Sequence, residues 1–230
     1  MPESRSARGR SALAALLALL VVPAAARAQD CGIPAPEGRF AVLGGAGLVR
    51  HDFGDDATGR DFGGAGAWNP AGPLAFSAGY TFRDLEGTGA DPSVVRAAAA
   101  YRLPALPFIG RLCIKAAAGA TRFADDVDQT DVTTFAAPVG LVFGRSFAVG
   151  ATATLTPYVS PHVIFATSDS RLFGFDLSAS DTGIGAEAGV QALFSRFIGA
   201  ATVWWNNLDE SLGPTAFPPL QVALRVGLVL

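Results

Sequence analysis

Proton-transfer chemistry near neutral pH would have to use one of two histidines, His51 or His162, because the chain has no others. His51 is followed by Asp52, a pairing that could serve a dyad completed by an acid from another segment. His162 lies two residues after Ser160, so an extended backbone puts both on one face. Neither spacing marks a nucleophile, a base and an orienting acid. The expectation is therefore two structural histidines and no catalysis, with a lipid-modifying or proteolytic activity as the remotest reading.

Acids are grouped more tightly. Asp125, Asp126, Asp128 and Asp131 follow one another closely, as do Asp52, Asp55 and Asp56. Oxygen ligands so spaced could make weak contacts with a divalent cation, but the glycine and distal glutamate of a calcium loop are missing. Solvated acidic loops are expected, with no resident metal and no cofactor. The glycine runs at 44–47 (GGAG) and 63–67 (GGAGA) lie in strand-like segments without a following helix, so they do not read as phosphate cradles.

Composition narrows the class. The chain has 230 residues, 50% hydrophobic and 16% charged, with a formal net charge of −3. Lys115 is its sole lysine, so no basic surface exists to hold nucleic acid. So apolar a chain is not disordered, and two cysteines do not make a disulfide scaffold.

The first residues read as targeting. Arg5, Arg8 and Arg10 precede the apolar run Ala12 to Val22, and Ala26-Arg27-Ala28 has the small-x-small form of a cleavage site. Residues 1–28 are thus expected to be a signal peptide, 29–37 a short periplasmic N-terminal segment, and 38–230 one folded domain. No segment after the signal offers the roughly 18 apolar residues that a spanning helix needs.

Alternation dominates that domain. Leu74, Phe76, Ala78, Tyr80 and Phe82 share a face opposite Ala75, Ser77, Gly79, Thr81 and Arg83. Residues 149–165, 184–194 and 220–230 behave likewise, for example Leu220, Val222, Leu224, Val226 and Leu228 against Gln221, Ala223, Arg225 and Gly227. Weaker segments at 39–50, 60–68, 93–103, 111–123, 133–143 and 197–206 bring the count to about ten strands. It falls to eight if the two glycine-rich segments are irregular. Each is close to the length with which a tilted strand crosses a bilayer.

The links alternate in kind. Residues 69–72, 104–110, 144–147 and 195–196 are short or uncharged, whereas 51–61, 84–91, 124–131, 168–181 and 206–219 are longer and acidic. All of the twenty Asp and Glu residues except Glu3, Asp30, Glu37 and Glu187 fall in the second group. In an up-and-down meander that group lies at one end. A barrel whose two rims meet different solvents accounts for such sorting. The fold class expected is all-β, a closed antiparallel up-and-down transmembrane β-barrel. Closure is required because an unpaired backbone group in hydrocarbon costs several kcal/mol.

With its signal peptide, alternating strands, short turns opposite long links and apolar terminal strand, the chain resembles the small outer-membrane β-barrel proteins of diderm bacteria. The resemblance implies the outer membrane as location, membrane lipid as surroundings, and the barrel-assembly machinery as partner during biogenesis. It also implies a structural or surface-interaction role, with a narrow passive pore as the alternative.

In such a barrel Arg96, Arg102, Lys115, His162, Glu187 and Arg225 face the lumen. Glu187, expected to be the only strand acid, would pair with Arg225 or Arg96 and rigidify the barrel, or else serve as a selectivity element of a narrow pore. Trp68, Tyr101, Trp204 and Trp205 lie near strand ends, where aromatic girdles form. Cys31 and Cys113 fall at the same rim, which permits a bridge and equally two separate thiols.

Overall fold

The computed structural model describes residues 31–51, 57–85, 92–104, 111–125, 130–172, 175–209, 212 and 217–230. The proposed signal peptide and the loop acids Asp52, Asp55, Asp56, Glu86, Asp91, Asp126, Asp128 and Glu210 lie outside them, as do the side chains of His51 and Asp125.

Eleven strands are assigned: β1 (Arg39–His51), β2 (Ala57–Asn69), β3 (Leu74–Leu85), β4 (Ser93–Arg102), β5 (Arg111–Asp125), β6 (Thr130–Gly144), β7 (Phe147–Val149), β8 (Ala153–Leu172), β9 (Phe175–Phe194), β10 (Phe197–Asn206) and β11 (Leu220–Val229). Gly144 pairs with Tyr158 and Phe147 with Leu155, so β6 and β7 run in one unbroken register along β8 and form a single stave. Every neighbouring pair is antiparallel, and β1 pairs with β11, which closes a barrel of ten staves. The glycine-rich segments are full strands: Gly44 faces Gly64 and Gly45 faces Gly63 in the β1–β2 ladder.

The period-two pattern sorts the barrel's two surfaces. Large apolar side chains such as Phe62, Phe82, Phe165, Leu224 and Val226 point outward and are exposed. Their inward alternates are small or polar, among them Ala67, Ala75, Ser160, Gln191 and Gln221. A soluble barrel would reverse this arrangement, since water rather than apolar solvent would meet the outer face.

Two links differ from their sequence reading. The hairpin before β8 turns at residues 150–152, where Gly150 takes φ +68°, and not at 144–147. Gly144-Arg145-Ser146 has the composition of a turn, yet the backbone NH of Arg145 donates to the Pro157 carbonyl at 3.2 Å and Ser146 Oγ meets Thr156 Oγ1 at 2.9 Å, keeping the stave straight. Of residues 168–181, expected to be a loop, 168–172 and 175–181 continue β8 and β9 as paired strands, with Asp169 opposite Ser178 and Arg171 opposite Asp176. Because β10 pairs only with residues 185–194, the far part of the β8–β9 hairpin stands above its β10 neighbour as an overhang. Acids are tolerated in these strands because Asp169 and Asp176 are exposed, and Asp176 is paired with Arg171 at 2.9 Å.

The short turns and both described chain ends share one rim, here the near mouth. The Leu230 NH donates to the Phe40 carbonyl at 2.8 Å, completing the seam. Of the short N-terminal segment expected at 29–37, residues 31–35 turn into this mouth. Ile33 and Ala35 are fully buried and pack with Ala41, Ala67, Ala100, Val142 and Ile198 from five staves. At the far mouth, Leu208, Leu212 and Phe217 of the β10–β11 link fold inward against Val94, Ala136, Ile164 and Trp204. The barrel is filled from both ends.

Candidate functional site

Between the two fillings lies a polar lumen built by inward alternates. In its far half Arg83 of β3 grips Asp61 of β2 through two hydrogen bonds, Nε–Oδ1 at 2.8 Å and Nη2–Oδ2 at 3.2 Å. The Gln221 amide of β11 donates to Asp61 Oδ2 at 2.6 Å and accepts from Arg96 Nη1 of β4 at 3.1 Å. This chain of contacts ties four staves together. Asp61 corrects the expectation that Glu187 is the only acid in a strand. Asp61 falls in the segment expected as the acidic link 51–61, and Arg83, placed on the face of Ser77 and Thr81, was not counted among the lumen charges. Their parity with Gly63 and Ala65, and with Ser77 and Thr81, was the available signal.

In the near half Glu187 of β9 is held by Lys115 of β5, Nζ–Oε2 2.8 Å, and by the Tyr158 hydroxyl of β8, which donates to Oε1 at 2.6 Å. Its partner is thus neither Arg225 nor Arg96. The tilt of the staves brings Lys115 to the depth of Glu187, and the flexible lysine stem spans the lumen. Arg96 instead reaches Gln221. Two glycines make room for the Tyr158 ring: a Cβ on Gly32 would lie 3.0 Å from it, and one on Gly189 only 2.8 Å.

His162 does not stand beside a nucleophile. Its Nδ1 is 3.0 Å from the Ser160 carbonyl, and its ring stacks on Trp204 with centroids 4.1 Å apart. Because a carbonyl only accepts, Nδ1 carries a proton, which in a neutral ring leaves the lone pair on Nε2. Trp204 therefore points into the lumen and is no part of an aromatic girdle. Trp205, the next residue, faces outward together with Trp68 and Tyr101, which sit at the opposite rim. Trp204 in turn packs on Phe217 at 5.0 Å, under the far filling. The link is pinned there by Asn206 Nδ2, which donates to the carbonyls of Phe217 and Pro218, both at 2.9 Å.

The remaining space is a cavity of about 150 Å³ between the fillings, touched by Pro34 at one end and Phe217 at the other. Arg96, Lys115, Glu187, Gln191, Trp204 and Arg225 all border it. That volume admits several water molecules or one small solute.

Other predicted site residues lie elsewhere. Arg102 is at the near rim rather than in the lumen: Nη2 donates to the Gly72 carbonyl at 2.9 Å, and Nη1 lies 3.6 Å from Glu37. Cys31 and Cys113 are joined in a disulfide that bolts the N-terminal filling to β5. Asp131 and Asp176 are engaged by Arg122 and Arg171 at 3.1 and 2.9 Å. Among the described residues no three metal-ligating side chains come together.

No family model and no curated protein matches the chain. Solved structures similar to it include the following three. One is Ail, the attachment invasion locus protein of Yersinia pestis, at 16% identity and TM-score 0.39, covering 84% of this chain and 99% of that one. Another is Neisserial surface protein A, at 14% identity and TM-score 0.41, covering 84% and 96%. The third is the translocator domain of autotransporter NalP from Neisseria meningitidis, at 14% identity and TM-score 0.42, covering 96% and 94%. The assignment of the chain as a closed antiparallel β-barrel rests on its own strand pairing, β1 to β11 included.

Proposed function

We propose that the protein is an integral outer-membrane β-barrel with a structural or surface-interaction role, its long-hairpin end displayed outside the cell. The single observation that carries this reading is the inverted barrel: aliphatic and aromatic side chains cover the outside while ion pairs lie within. Such an exterior is stable only in lipid or detergent. Tyr101 and Trp68 at one rim and Trp205 towards the other suit the two interfaces of a bilayer. The short-turn rim would face the periplasm, where the Cys31–Cys113 bond is compatible with an oxidising compartment.

The filled interior supports a non-conducting role over the alternative of a narrow passive pore. A pore would need a continuous wet path, whereas Ile33 and Ala35 at one mouth and Leu212 at the other are almost wholly buried. Membrane fractionation with a heat-modifiability gel tests the location: extraction only with detergent, and a mobility shift on boiling, are expected. Release by osmotic shock would defeat it. Planar-bilayer recording tests the role, and steady single-channel steps would restore the pore reading.

A further inference from the structure

The described lumen holds Arg83, Arg96, Lys115 and Arg225 against only two carboxylates, Asp61 and Glu187. Asp61 is taken by Arg83 and Glu187 by Lys115. Arg96 and Arg225 are left without a carboxylate in hydrogen-bonding contact, and both border the cavity. Gln221 satisfies one Arg96 nitrogen, and the guanidinium lies over the Phe217 ring at 5.2 Å. Its Nε and Nη2 are buried with no acceptor.

A second donor points the same way. Trp204 is 8% exposed, and its buried Nε1 has no acceptor although the ring borders the cavity. Trp204 and Arg96 both pack on Phe217, and all three border the same cavity. A desolvated guanidinium with unmade hydrogen bonds is costly, and an oxyanion offers it charge and acceptors together. His162 Nε2 and Gln191 Oε1 are buried acceptors without a donor, which a ligand hydroxyl would satisfy.

We propose that the lumen cavity is a binding site for a small oxyanion, a carboxylate or a phosphate, held by Arg96 and Arg225 with Trp204 Nε1 as third donor. The site does not depend on where the barrel resides in the cell. Its failure in micelles would leave the membrane reading standing.

The chain's three tryptophans make the test direct. A Trp68→Phe, Trp205→Phe protein keeps only Trp204. It is refolded from urea into detergent micelles at increasing phosphate, sulfate or acetate, with sodium chloride holding ionic strength constant. Refolding in the presence of the anion removes any need for entry through a filled mouth. A saturable change in Trp204 emission is expected for at least one oxyanion and not for chloride. Its midpoint should rise at least tenfold in Arg96→Gln and Arg225→Gln. Response to phosphate and sulfate alone assigns a phosphate-class ligand; response to acetate assigns a carboxylate. Absence of any saturable response, or an unchanged midpoint in both variants, overturns the proposal. Should either variant lack the folded gel band, Arg225→Lys and the anion-dependent melting temperature of the parent decide it. A parent Tm that no oxyanion raises above the chloride control counts against the site.

Discussion

Lys115 Nζ and Glu187 Oε2 meet 2.8 Å apart across the lumen, from staves β5 and β9 that never pair with each other. Removing one partner strands the other in a confined interior. Lys115→Met is expected to destabilise the barrel by about 3 kcal/mol, since an uncompensated buried charge is costlier than a missing pair. The double variant Lys115→Met, Glu187→Gln should lose less than the sum of the two single changes. Urea unfolding in micelles, read by tryptophan emission, measures the cycle, and strict additivity would deny the coupling.

Tyr158 is the second holder of Glu187. Tyr158→Phe keeps the ring between Gly32 and Gly189 and removes only the 2.6 Å hydrogen bond. A loss of about 1–2 kcal/mol is expected. Gly189→Val should be far worse, because its side chain would enter the space of the ring. A Gly189→Val protein as stable as its parent would show that Tyr158 has another place to go.

The outer face makes a contrasting prediction. Leu224, 64% exposed, sits within β11 in the apolar belt, while Leu177, 55% exposed, lies on the overhanging hairpin. Leu224→Arg should cost about 2–4 kcal/mol in a bilayer, and Leu177→Arg close to nothing. Equal effects in lipid vesicles would mean that the belt is misplaced.

The Cys31–Cys113 bond closes a loop of 82 residues in sequence separation. On the chain-entropy account its loss removes about 4.5 kcal/mol. Cys31→Ser with Cys113→Ser should lower the unfolding midpoint while leaving the folded gel band in place, since the strand ladders do not involve the bond. Thermal melting with and without a reductant is the check, and identical curves would refute the anchoring role.

Much of the architecture was legible because one physical rule, alternation between lipid and lumen, acts on every stave. It located β3, β10 and β11 to within a residue or two of their ends. It failed where composition imitated another element: Gly144-Arg145-Ser146 resembles a turn but continues a strand, and the acids at 169, 176 and 181 resemble a loop. Trp204 and Trp205 show the limit at single-residue scale. Only the parity set by Ala200 and Thr202 tells which of the two points inward, and that parity was readable. The pairing of Glu187 was not. Its partner depends on how far the staves are sheared, a property of the whole cylinder that no local pattern encodes. The N-terminal filling left only a faint trace, the short alternation of Cys31, Ile33 and Ala35.

That filling has a consequence for the order of events in biogenesis. The seam joins the first stave to the last, so the sheet remains an open ribbon until the C-terminal strand arrives. A segment ahead of the first stave that ends up inside must be tucked in before the ribbon rolls shut, or else thread a finished ring. The thiol chemistry at residue 31 can tether it as soon as the fifth stave is in place, well before the seam is made. A bond made at that stage would keep the leading residues on the concave side while the wall curls around them.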